Sequence, residues 1–85
     1  MPKQVRVYIT GYCPYCRLAK ELLVERGFPF EEIDVSDDAA AREWLVEATG
    51  RRTVPQIFVG EQPIGGYEEL WSLDESGALA TLIGA

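Results

Sequence analysis

Cys13 and Cys16 are the only cysteines in a chain of 85 residues, and Pro14 and Tyr15 alone separate them. The residues before them, 5–9 (Val-Arg-Val-Tyr-Ile), read as a buried strand. Residues 17–26 have the spacing of an amphipathic helix that Gly27 closes. The thiols therefore fall at a strand-to-helix junction, on the first turn of the helix. That turn leaves amide N–H groups without backbone partners, and the helix dipole adds partial positive charge. A cysteine at the N-cap loses its proton there more readily than a free thiol does. Proline suits the first helical position because it has no N–H to leave unpaired, so Pro14 places Cys13 at the cap. Arg17, four residues on, reaches the same side of the turn. Cys16 shares a face with Ala19 and Lys20 and is the less exposed of the pair. One thiol is placed to attack and the other to resolve, with Pro14 and Arg17 favouring the thiolate.

Other uses of the pair fit less well. A disulfide kept only for stability gains little from so short a loop. A structural zinc site takes four cysteine or histidine ligands, and this chain has two cysteines and no histidine, so no metal site is expected. Two inert buried thiols are the remaining structural reading, yet chance rarely puts a chain's only pair at this spacing on a βα turn. Redox chemistry is the expectation for Cys-x-x-Cys in an intracellular chain.

The length allows one domain, over 1–85, with no room for a second core. No apolar stretch is long enough to span a bilayer. Residues 1–4 run straight into the first strand without a secretory apolar region, so a cytoplasmic chain and no membrane partner are expected. A net charge of −6 argues against nucleic acid as a partner. Arg17, Lys20, Arg51 and Arg52 make up half of the eight basic residues and cluster near the motifs, so a small anion could meet a local positive site.

The elements around the pair follow from patterning. Residues 28–35 alternate as a second strand, reached through a helix and so parallel to the first. Ser36 and Asp37 are candidate caps for a helix whose apolar residues Ala41, Trp44, Leu45 and Ala48 face the core, with Gly50 at its end. Residues 56–59 and 62–64, joined through Gly60-Glu61, form an antiparallel hairpin. Gly65-Gly66 precedes a short helix over 67–73, and Leu79, Leu82 and Ile83 line a last one. The order β-α-β-α-β-β-α with a helical tail gives an α/β fold, a four-stranded mixed sheet with helices on both faces.

Two further motifs bear on the thiols. Thr53-Val54-Pro55 stands before the third strand and leaves the Val54 backbone open to a peptide-like ligand adding as a short strand. Gly65-Gly66 permits a tight turn and offers the amides of the next helix to a carboxylate. In combination, Cys13-Pro14-Tyr15-Cys16, the run Thr53-Val54-Pro55-Gln56-Ile57-Phe58 and the run Gly65-Gly66-Tyr67-Glu68-Glu69-Leu70 closely resemble the three signatures of dithiol glutaredoxins, in order and across nearly the whole chain. The likeness is strongest to the short bacterial type.

The resemblance implies a thioredoxin-like fold and an enzyme that reduces protein disulfides and protein–glutathione mixed disulfides. Glutathione is then the co-substrate, no cofactor is held permanently, and the chain is a monomer. It implies that Cys13 is the nucleophile and Cys16 the resolving thiol. It further implies that Pro55 is cis and faces the thiols, and that Val54 pairs its backbone with the glutathione cysteine. Gln56 and a nearby basic residue, here Arg51, are expected to hold the glycine carboxylate. Tyr15, Thr53, Gly66, Tyr67, Glu68 and Glu69 complete the expected glutathione site, the last four at its γ-glutamyl end, and Tyr12 and Tyr15 flank the sulfur.

The chain departs from the family pattern in two places. Many members carry lysine three residues before the first cysteine, whereas this chain has Thr10, so Arg17, Lys20 and Arg51 must supply the positive field. Glu68-Glu69 replaces the usual aspartate or serine followed by aspartate. Thr10 leaves open an alternative in which thioredoxin reductase is the electron source. A glutathione-ligated iron–sulfur carrier is another, against which the stiffness of Pro14 counts, and a non-catalytic interaction module is the blandest.

Overall fold

The computed structural model describes residues 1–84; Ala85, the last residue of the domain expected over 1–85, lies outside the described residues. Alternation decides where the first strand points. β1 (Val5–Ile9) sends Val5, Val7 and Ile9 to one face of the sheet and Tyr8 to the other. β2 (Phe30–Asp34) pairs parallel with β1, β3 (Gln56–Val59) antiparallel with β1, and β4 (Gln62–Gly65) antiparallel with β3. The strand order is β2-β1-β3-β4, so the two most apolar strands lie in the centre.

α1 (Pro14–Arg26), α3 (Tyr67–Glu75) and α4 (Ala78–Ile83) cover one face of the sheet. Leu23, Leu70, Leu79 and Ile83 pack there against Val5, Val7, Ile57 and Val59. Burying each such aliphatic side chain contributes about 1.5–3 kcal/mol. Cys16 is 2% exposed and belongs to this same cluster, so the floor of the redox pair is part of the core. The Arg26 guanidinium donates to both carboxylate oxygens of Asp74 at 2.8–3.1 Å, tying the end of α1 to α3. That pair holds Asp74 below the usual carboxylate range.

α2 (Ala39–Thr49) is the helix of the other face, over Tyr8, Val35, Leu45 and Phe58. One helix covers less than three, and this corrects the expectation that Trp44 is core: it is 43% exposed. Its ring stacks on Phe58 at 5.5 Å and lies 5.6 Å from Tyr8, closing the rim of the cluster without entering it. The cap of α2 also differs from the expected Ser36 or Asp37. Asp38 is the N-cap, its carboxylate accepting from Ala41 N–H at 3.0 Å, because Ser36 is engaged elsewhere.

Candidate active site

β1 ends at Ile9, and four residues separate it from the first turn of α1. That short loop is pinned by the neighbouring strand end. Ser36 Oγ accepts from Gly11 N–H at 2.8 Å and donates to Asp34 at 2.6 Å, while Asp34 also accepts from Ser36 N–H at 2.8 Å. These two bonds, side chain first, hold the Asp34 carboxyl below its ordinary value. Arg42 donates to the carbonyls of Val35 and Ser36 and fixes the other strand of the same corner. With the loop held, Cys13 sits in extended backbone geometry as the N-cap of α1 and Pro14 opens the helix. Cys13 Sγ accepts from Cys16 N–H at 3.1 Å. The two sulfurs are joined as a disulfide with Cα atoms 5.2 Å apart, so the structure is the oxidised form.

The second motif meets the first from the far side of the sulfur. The Val54–Pro55 bond is cis, and Val54 O lies 3.7 Å from Cys13 Sγ. Pro55 is buried, and its carbonyl explains the second glycine of the third motif. A Cβ on Gly66 would approach Pro55 O at 3.3 Å, tighter than the loop accommodates without shifting. Gly65 has φ +108°, a conformation that side chains avoid, and a Cβ there would run into Glu69. The Gly-Gly pair thus does two separate things: Gly65 turns the chain and Gly66 lets α3 approach the proline loop.

Glu69 locks this arrangement. One oxygen, Oε1, accepts from Gly66 N–H and from the Arg51 guanidinium, each at 2.7 Å. Arg51 is therefore committed to a carboxylate of its own chain, and the arginine next to it is not. Arg52 makes no hydrogen bond or ion pair among the described residues, and it lines a cleft of about 730 Å3 with Thr10, Arg42, Arg51, Thr53 and Val54. A smaller hollow of about 300 Å3 on the other side of Cys13 is lined by Thr10, Tyr12, Arg17 and Lys20. Tyr12 is exposed, and Tyr15 faces Tyr67 with ring centroids 6.2 Å apart.

Three expected site residues stand differently from the reading of the sequence. Gln56 is 1% exposed, and its amide donates to Thr53 O at 2.9 Å and to Thr53 Oγ1 at 3.3 Å. Strand alternation puts it on the same side of β3 as Phe58, on the face that α2 covers. Arg17 is exposed, with Glu21 as its ionic partner at 4.0 Å, a spacing that contributes little at the surface. Lys20 pairs with Glu32 on β2 at 3.0 Å. The sequence places Arg52 among four cations near the motifs and Ser36 only as a candidate helix cap, and it gives Arg42 no role.

Residues 5–64 match the Glutaredoxin family model. The chain is 44% identical over 79 residues to glutaredoxin 3 of Escherichia coli strain K12, covering 93% of this chain and 95% of that one. It is 41% identical to a glutaredoxin of Pseudomonas aeruginosa over the full length of both. Among solved structures it superposes on the solution structure of a glutaredoxin from Brucella melitensis with TM-score 0.86 at 40% identity, covering 96% of this chain and 89% of that one. It superposes on a buckwheat glutaredoxin–glutathione complex with TM-score 0.87 at 29% identity, covering 94% and 76%.

The lock on Glu69 has a pH signature. Its carboxyl is held below an ordinary value near 4.5, first by the Gly66 N–H and then by Arg51. A group depressed in this way adds stability above its unfolded-state pKa and gives it up as pH falls through the folded-state one. Glu69→Gln should therefore unfold at lower urea than the parent near neutral pH, and the gap should narrow near pH 3. A gap that stays constant or widens in acid contradicts the lock.

Proposed function

The chain belongs to the glutaredoxin family, and from that premise we propose that its dithiol performs glutathione-dependent thiol–disulfide exchange. The observation that carries this reading is the asymmetry of the pair: Cys13 Sγ caps a helix from a partly exposed position while Cys16 is buried beneath it. Cys13 thiolate attacks the glutathione sulfur of a protein–glutathione mixed disulfide. The S–S bond breaks, the protein thiolate leaves and takes up a proton, and Cys13 carries the glutathionyl group. A second glutathione thiolate attacks that group, freeing Cys13 and forming glutathione disulfide. With a protein disulfide, Cys13 forms a mixed disulfide with the protein and Cys16 thiolate displaces it, leaving the Cys13–Cys16 disulfide. Two glutathiones return that disulfide to the dithiol.

Glutathione lies across the proline loop in this reading. The Val54 backbone, 3.7 Å from the sulfur at its carbonyl, pairs with the peptide, and Thr53 and Tyr15 flank it. Gly66, Tyr67 and Glu68 hold the γ-glutamyl end, with Glu69 acting through Gly66 rather than on the ligand. Arg52 takes the glycine carboxylate in place of Arg51 and Gln56, because Arg51 is held by Glu69 and Gln56 is buried. Thr10 adds no charge, so the arginine side of the cleft supplies the attraction for the anion. The reading carries with it a monomeric cytoplasmic protein of one domain over 1–85. Its partners are glutathionylated or disulfide-containing proteins, and its reducing equivalents come from glutathione without a resident cofactor.

Turnover coupled to glutathione and glutathione reductase tests both parts. Cys13→Ser should abolish reduction of the glutathione mixed disulfide of 2-mercaptoethanol and of protein disulfides alike. Cys16→Ser should keep the first reaction and lose the second. Loss of the first in Cys16→Ser, or activity only when thioredoxin reductase replaces glutathione, contradicts the mechanism. In the same assay Arg52→Ala should raise KM for the mixed disulfide severalfold more than Arg51→Ala does; the reverse order places the carboxylate on Arg51.

A further inference from the structure

The surfaces around the dithiol differ in character. Arg42, Arg51 and Arg52 line the cleft on the Val54 side together with Glu43 and Glu47. Farther along α1, that helix and α3 leave a groove of about 200 Å3 lined by Leu18, Glu21, Glu25, Tyr67, Trp71 and the Arg26–Asp74 pair. Trp71 is 49% exposed, Tyr15 and Leu18 are exposed beside it, and the Tyr15–Tyr67 ring contact joins this ledge to the redox pair. Tyr67 and Trp71 also line a shallow hollow with Glu68, so the apolar surface runs on along α3. Exposed aromatic side chains grouped in this way mark contact surfaces. Charge narrows the choice of partner. Glu25 and Glu68 have no cationic partner among the described residues, and Glu21 has only Arg17 at 4.0 Å. Arg26, which also lines the groove, is paired with Asp74.

We propose that the α1–α3 ledge docks the protein substrate, and that it fits a polypeptide segment with an aliphatic or aromatic residue flanked by lysine or arginine near the cysteine to be reduced. The apolar residue lies on Trp71 and Leu18, and the cations meet Glu21 and Glu25. A second copy of this chain would bring two acidic rims together, and an anionic lipid surface would meet the same repulsion. The glycine end of such a substrate's glutathionyl group lies toward Arg52, away from Trp71 and Glu25. This deepens the thiol–disulfide reading and rests on it.

The test compares three substrates for the wild type, Trp71→Ala and Glu25→Lys. They are a peptide glutathionylated at a single cysteine with Leu and Lys neighbours, the same peptide with each Lys replaced by Glu, and the small mixed disulfide of 2-mercaptoethanol. The wild type should favour the Lys peptide over the Glu peptide by about tenfold in kcat/KM. Each variant should raise KM for the Lys peptide, leave its kcat unchanged, and leave turnover of the small disulfide unchanged. The wild-type preference should also weaken as salt screens the carboxylates. Equal kcat/KM for the two peptides in the wild type, or an unchanged KM in both variants, overturns the ledge. So does an equal loss on all three substrates. Absence of small-disulfide turnover in the wild type would instead overturn the reading of the dithiol itself.

Discussion

The N–H of Cys16, 3.1 Å from Cys13 Sγ, is the contact around which the rest of the molecule is arranged. It exists because α1 begins at Pro14, one residue after the sulfur, and leaves its first-turn amides without backbone acceptors. An anionic sulfur at that point gains a hydrogen bond and the favourable end of the helix dipole at once. Keeping the cap in place requires a rigid approach from β1, supplied by the Asp34–Ser36–Gly11 chain of hydrogen bonds. It also requires that Cys16 stay down, which its packing among Ala19, Leu23 and the central strands ensures.

The far wall of the site depends on a different carboxylate. Glu69 joins Gly66 to Arg51 through one oxygen and so sets the distance between the start of α3 and the loop that carries the cis proline. Removing the side chains from residues 65 and 66 lets those two segments close to within a carbonyl's reach. Between the proline loop and α2 lies a cleft in which Arg52 is the cation without a hydrogen bond or ion pair among the described residues. A glutamate that elsewhere could repel an anionic ligand here neutralises one arginine and leaves its neighbour to act.

Features that depend on local spacing were legible in the sequence. The position of Cys13 at a helix cap follows from the strand before it and the proline after it, and the hairpin follows from Gly60-Glu61 between two short strands. The parallel pairing of the first two strands and the antiparallel pairing of the last two follow as well, whereas the meeting of β1 with β3 in the centre does not. Features that depend on which neighbour arrives from elsewhere were not. Ser36, Asp37 and Asp38 are all good caps, and only the demand of Gly11 for a partner removes Ser36 from the choice. Trp44 has the spacing of a core residue, but α2 has too little sheet-covering company to bury it. Arg51 and Arg52 are indistinguishable until α3 brings Glu69 to one of them. The burial of Gln56 was within reach, since it stands two residues before Phe58 on the same strand face; the family likeness outweighed that alternation.

Geometry makes the two cysteines unequal: one sulfur at a partly exposed helix cap, the other in the core. Limiting iodoacetamide added to the reduced wild-type protein, with each cysteine followed by peptide mass, measures that inequality directly. Cys13 should be alkylated first and should continue to react at pH values where an ordinary thiol, with a pKa of about 8.5, has become slow. Equal labelling of the two cysteines, or Cys16 reacting ahead of Cys13, would contradict it.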